Sequence, residues 1–264
     1  MSDLNDPARR QAWYKQSLYG QKAGWLRFLR SWLGGEIFIR EVMFGHRRIT
    51  ESTLQIHDQM LYFLSPNQKP VDAFVSVYAF AEKERGPKRE LPSYDTAIVD
   101  RLLFDFDCER IYHSKDAAGD QKKAEDWLWG SARGGHTTER PEGGWLARVP
   151  LENAYDDALE CVSRVKVDGF KPRVVFTAGK GFQVHAVARG LLDIKELRPL
   201  QKEYAKDLHT SDVSIIGDSA RVCRMPGSIH PRTGRLAHIV EPSLTTGYPS
   251  LESILKRSEG VTGW

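Results

Sequence analysis

Two aspartates one residue apart, Asp105 and Asp107, sit inside the apolar run LLFDFD. In a strand, residues i and i+2 project to the same face. The run therefore presents two carboxylates together and turns Phe104 and Phe106 the other way. Neighbouring carboxylates repel unless a cation lies between them. Hard divalent ions such as Mg²⁺ and Mn²⁺ take oxygen ligands, and two-metal phosphoryl transfer needs such a clamp. Taken by itself, a DxD is equally the mark of two solvated acids on a sheet edge.

Two further segments carry groups suited to phosphate chemistry. TAGKGFQVHA, residues 177–186, flanks Lys180 with small residues, so backbone amides and an ammonium can meet a phosphate together. Gln183 and His185 share a strand face, though a GKG turn is also ordinary hairpin chemistry. The segment lacks the GxxxxGK[ST] spacing of a Walker loop. The stretch 211–235, SDVSIIGDSARVCRMPGSIHPRTGR, offers an acid (Asp212), a cation (Arg224) and a Pro-Gly-Ser loop presenting His230. An acid for metal together with cationic and N–H donors for phosphates is what nucleotide polymerisation requires.

The elements that must position these groups follow from the patterning. Residues 7–33 mix aromatics with Arg and Lys and read as one or two amphipathic helices, ended at Gly34-Gly35. IFIREVMF, MLYFL and DAFVSVYAF have strand character, and EKERGPKRELPS reads as an exposed loop. RLLFDFD is a buried strand, followed by a polar insertion over 109–144. Residues 151–168 have helical spacing closed by Gly169, and RVVFTAG with FQVHAVA reads as a hairpin. Residues 192–209 form another helix that Pro199 interrupts or kinks, and a final strand follows the Pro/Gly loop. Strands and helices alternating around a mixed or antiparallel sheet make an α+β fold.

Composition narrows the class. The chain has 264 residues, 41% hydrophobic and 28% charged, enough for one large domain. Its net charge of +3 permits a locally basic groove and no more. The polar N-terminus and the lack of an apolar run near the roughly 20 residues of a membrane span suggest a soluble, cytoplasmic protein with no membrane partner. Cys108, Cys161 and Cys223 are odd in number and widely spaced, which suits reduced thiols, and no CxxC knuckle points to zinc.

In this order and spacing, the three segments resemble the archaeo-eukaryotic primase superfamily, most of all the small catalytic subunit of the replicative primase. FDFD matches the family's DxD strand, and TAGKGFQ is similar to its SGxRGxH motif. Asp212, Arg224 and PGSIHPRTG match its third motif, with 18 residues from Asp212 to His230. IREVMF, at Arg40 and Glu41, resembles its REF segment. The resemblance implies a single catalytic domain over 1–264: a helical segment 1–35, a core 36–242 and a tail 243–264. The core would be an RRM-like palm packed against an α/β subdomain. It implies two Mg²⁺ or Mn²⁺ ions on Asp105, Asp107 and Asp212, and no zinc. Lys180, Arg224 and His230 would hold the triphosphate, with Thr177 and Ser228 nearby and Arg40 lining the nucleotide site. The family's second-motif His aligns with Gln183, and a His stands two positions on at His185, so either serves. The implied activity is primer synthesis on single-stranded DNA from NTPs, dNTPs or both. A large primase subunit, a helicase or a replication protein is a candidate partner. The short chain without a zinc knuckle suggests a plasmid- or virus-encoded relative. The alternatives are a repair or gap-filling polymerase of the same superfamily and a non-catalytic module binding single-stranded DNA.

Overall fold

Alternating hydrophobicity and capping signals are realised as an α+β fold in a computed structural model, which describes residues 39–44, 47–52, 73–87, 89–108, 151–230, 233 and 235–259. The expected N-terminal helices, the run MLYFL and the insertion 109–144 lie outside the described residues. The strands are β1 (Ile39–Phe44), β2 (Arg47–Ser52), β3 (Ala73–Ser76), β4 (Ala79–Phe80), β5 (Lys83–Arg85), β6 (Glu90–Pro92), β7 (Ala97–Asp107), β8 (Lys171–Phe176), β9 (Gly181–Leu192), β10 (Val222–Arg224) and β11 (His238–Val240). The helices are α1 (Leu151–Val167), α2 (Ile194–Tyr204) and α3 (Leu251–Glu259). Nine strands form one sheet in the order β10-β3-β1-β4-β7-β9-β8-β11, with β2 on the other edge of β1. The two-residue β4 joins the half built on β1 to the half built on β7.

The β7–β9–β8 half explains how the acids are presented. Phe106 pairs with Phe182 and Phe182 with Phe176, so one face is aromatic. That face takes the helices: Tyr155 of α1 stacks at 4.8 Å on Phe182, and Tyr204 of α2 meets Phe104 edge-on. Ala154, Ala158, Cys161, Val162 and Val165 recur every three or four residues along α1 and are buried. Gly169, at a φ of +82°, turns the chain from α1 into β8. Asp193 caps α2 in a reciprocal box with Glu196. Pro199 lies inside α2, which ends at Tyr204, short of the expected His209.

Three stretches differ from the sequence reading. EKERGPKRELPS holds the hairpin β5–β6, with Arg89 docked on the buried Glu41. DAFVSVYAF is broken at Val77–Tyr78, where the Ser76 hydroxyl donates to the Tyr78 carbonyl. Within 243–264, α3 buries Ile254, and the Ser258 carbonyl accepts from the Leu236 amide. Cys108, Cys161 and Cys223 are free and buried, as expected for reduced thiols.

Candidate active site

The acids sit at the C-terminal end of β7, on the face away from the aromatic layer. In antiparallel register Asp105 lies opposite Gln183 and Asp107 opposite Gly181. The other edge of β7 is paired by residues 210–212. The Asp107 amide donates to the Thr210 carbonyl at 2.9 Å, and the Asp212 amide donates to the Asp105 carbonyl at 2.7 Å. Asp212, Asp105 and Gln183 thereby form one row across three adjacent backbones. Two ties fix the third backbone. Asp157 of α1 accepts from the Thr210 amide and hydroxyl. Gln201 of α2 donates to the Leu103 carbonyl and accepts from the Gly217 amide, both at 2.7 Å. The Ser214 amide and hydroxyl then orient Oδ1 of Asp212.

Electrostatically the cluster is compressed. Burial, then Asp107 and Asp212, hold the Asp105 carboxyl well above the usual carboxylate range. Arg221 and a hydrogen bond from Gln183 offset only part of this. Arg221 Nη2 lies 3.8 Å from Oδ2 of Asp105 and 3.8 Å from Oδ2 of Asp212. Lys180 Nζ lies 3.5 Å from Oδ2 of Asp107. Arg221 had not been singled out in the sequence. It stands three residues before Arg224 in the same basic stretch, and the bond of its carbonyl to the Val77 amide and the pairing of 210–212 with β7 bring it and the acids together.

Gly181 makes the turn possible. A Cβ there would lie 2.1 Å from the Phe106 carbonyl oxygen and 2.6 Å from Oδ1 of Asp107. The Thr177 amide and hydroxyl donate to the Gly181 carbonyl, closing the 177–181 turn, and the Cys108 amide donates to the Lys180 carbonyl. Thr233 donates to the Ala178 carbonyl at 2.6 Å, tying the PGSIHPRT loop to the same turn. In that loop the Ser228 hydroxyl donates to the Met225 carbonyl, and His230 Nδ1 accepts from the Thr233 amide. A neutral His230 therefore carries its ring hydrogen on Nε2.

Gln183 and His185 occupy different environments. Gln183 adjoins Asp105, and its buried Oε1 has no hydrogen-bond partner. His185 lies one row deeper, opposite Leu103 and Arg173. Burial, then Arg101, Arg173 and Arg40, keep its pKa well below the ordinary imidazole value. Arg40 is buried, donates to the Ser76 and Val77 carbonyls, and has its pKa lowered to about 10 by desolvation and then by Arg101. Arg224 lies over the Phe74 ring at 4.7 Å. Strand alternation turns it away from the face of Cys223, the residue near enough to feel Asp105. The structure thus gathers Asp105, Asp107, Asp212, Lys180 and Gln183. Thr177, Ser228 and His230 belong to the adjoining turn and loop, while Arg40, His185 and Arg224 contact other groups.

Among the described residues, no three His, Cys, Asp or Glu side chains are grouped so as to hold a metal ion. The donors nonetheless suit a hard divalent ion: two carboxylate oxygens already face one positive charge at equal distance, and Asp107 adjoins them.

No known family's sequence model matches the chain, and no curated protein matches it. Among solved structures, the chain is similar to the polymerase domain of Ligase D from Mycobacterium tuberculosis in complex with DNA. The identity there is 13%, with 92% of this chain and 91% of that chain covered and a TM-score of 0.47. It is also similar to the AEP domain of the primase-polymerase from cyanophage S-2L. The identity is 14%, with 90% and 98% covered and a TM-score of 0.44. No described helix is long and apolar enough to cross a membrane.

Proposed function

We propose that the chain is a metal-dependent nucleotidyl transferase of the primase-polymerase type, joining NTPs or dNTPs on a single-stranded DNA template and able to start a primer. One observation carries the reading. Backbone pairing brings Asp212 beside Asp105 and Asp107 from more than a hundred residues away in sequence, and Lys180 and Arg221 stand on the same carboxylates. Compressing three acids this way is costly to the fold and useful to a site that receives cations.

Asp105, Asp107 and Asp212 would hold the Mg²⁺ or Mn²⁺ ions, which when bound activate a 3′-hydroxyl and neutralise the leaving pyrophosphate. The chain's own residues supply the rest. Lys180 places an ammonium beside the 177–181 turn, and His230 would offer a ring N–H to a phosphate oxygen. Gln183 holds the Asp105 carboxylate by its amide. Developing phosphate charge is thus met by oriented cations and N–H groups, the dominant contribution in such reactions. The primase core, the absence of a zinc requirement, the replication partners and the cytoplasmic setting belong to the same proposal.

The test is incorporation of labelled NTPs and dNTPs on an unprimed single strand with Mn²⁺, comparing the native chain with Asp105→Asn. Products from the native chain alone support the reading. Products only on primed gaps move the activity to gap filling, and DNA binding without incorporation moves the chain to a binding module.

A further inference from the structure

We infer that Arg221 is a resident counter-ion of the acid cluster, which a divalent ion displaces and which then turns to the phosphates of the incoming nucleotide. The inference rests on the proposed function for its nucleotide half alone. Arg221 Nη2 is equidistant, at 3.8 Å, from one oxygen each of Asp105 and Asp212. Ser214 already holds Oδ1 of Asp212, which leaves Oδ2, the oxygen that Arg221 faces, as the one open to an ion, so the guanidinium and an ion drawn to these carboxylates would compete there. The third acid, Asp107, faces Lys180 at 3.5 Å.

A second observation marks the place as built for a ligand. Gln183, 5% exposed, lies in the same row as Asp105 and Asp212, and its Oε1 is buried without a hydrogen-bond partner. A buried amide oxygen left unpaired costs stability unless something fills it. A hydrated cation beside Asp105 supplies the missing donor.

The anchoring of Arg221 fits a side chain that moves. Its carbonyl accepts from the Val77 amide at 2.9 Å, and its amide donates to the Asp218 carbonyl. The backbone is pinned, while the side chain is 34% exposed. Both of its ion pairs are long, beyond the 2.7–2.9 Å of a charge-assisted hydrogen bond, so little directional bonding resists release.

The experiment measures Mn²⁺ affinity of the full chain without nucleotide or DNA, by calorimetry or by loss of the free-ion electron paramagnetic signal. Arg221→Gln should tighten Mn²⁺ roughly fivefold, the scale of a partly exposed ion pair. Arg221→Lys should stay near the native value, and Asp105→Asn should lose the site. The same Arg221→Gln protein should bind a triphosphate in Mn²⁺ more weakly and show a raised KM. Opposite signs for ion and nucleotide are the signature, since damaged structure weakens both. Unchanged or weaker Mn²⁺ binding in Arg221→Gln overturns the inference. A tightened ion site in a chain that incorporates no nucleotide keeps the counter-ion and removes the enzymatic reading. Incorporation with no Mn²⁺ shift does the reverse.

Discussion

Glu41 in β1 and Asp105 in β7 are carboxylates on strands of one sheet, each drawn largely out of water. The Glu41 side chain is fully buried. It receives Arg89 at 2.8 Å, the Tyr94 hydroxyl at 3.3 Å and Arg48 at 3.5 Å. Asp105 retains 13% of its side-chain surface, with its nearest cation among the described residues at 3.8 Å and two other acids beside it. Burial of a charge is costly unless hydrogen bonds and opposite charges compensate it. Around Glu41 they do, and the result is a docked β5–β6 hairpin. Around Asp105 they do so only in part, and the shortfall leaves the cluster able to accept further positive charge. The Glu41 charge is saturated, whereas the Asp105 charge is left wanting.

The largest effect expected is from Asp105→Asn. Incorporation should fall by about 10³-fold or more, while the melting temperature holds or rises because like-charge repulsion is relieved. A primer-synthesis assay beside calorimetric melting separates the two. Loss of activity together with loss of stability would erase the contrast with Glu41. Glu41→Gln should do the opposite. It should cost about 3 kcal/mol of stability, because buried ion pairs are lost while Arg89 stays partly desolvated. Turnover per folded molecule should stay unchanged, as read from denaturant midpoints and activity at low temperature.

The two regions also differ in how far the sequence revealed them. LLFDFD announced its strand, its face and its acid pair, because period-two alternation is written in adjacent residues. The hairpin of RVVFTAG and FQVHAVA was legible from its adjacent residues too, and α1 from its three-to-four-residue spacing. Glu41 was noticed only within a motif, and its arginine at position 89 lay in a stretch that read as loop. Neither charge predicts a partner 48 residues away. Arg221 was hidden in the same manner, since its place beside the acids depends on the non-local bond of its carbonyl to the Val77 amide and on the pairing of 210–212 with β7. The break at Val77–Tyr78 depends on β1 and β7 taking different ends of one apolar run. What alternation and capping encode is visible in a single chain; what pairing across the sheet decides is not.

Gly181 lies where the acid row presses on the backbone, and Gly181→Ala should cost about 2 kcal/mol. The added methyl would lie 2.1 Å from the Phe106 carbonyl oxygen, a backbone atom that cannot swing aside. Denaturant titration reads the cost, and activity should fall further than stability because the same methyl crowds Oδ1 of Asp107. An alanine tolerated at both levels would mean that β7 and β9 separate there easily, and that the acid row is not held by its register.

The smallest effect is the sharpest test of saturation. Arg48→Ala removes an ion pair at 3.5 Å whose arginine is 43% exposed. Such a pair contributes about 0.5 kcal/mol or less. Arg89 and Tyr94 remain on Glu41, so the carboxylate keeps a charged partner and a hydroxyl donor. If Glu41 is saturated, Arg48→Ala barely moves the denaturant midpoint, and Arg89→Ala moves it more. The double variant should then approach Glu41→Gln, because among the described residues the carboxylate is left with Tyr94 alone. A cost for Arg48→Ala as large as that for Glu41→Gln would show that Glu41, too, depends on one weak cation. Its difference from Asp105 would then lie in its like-charged neighbours and not in the count of its partners.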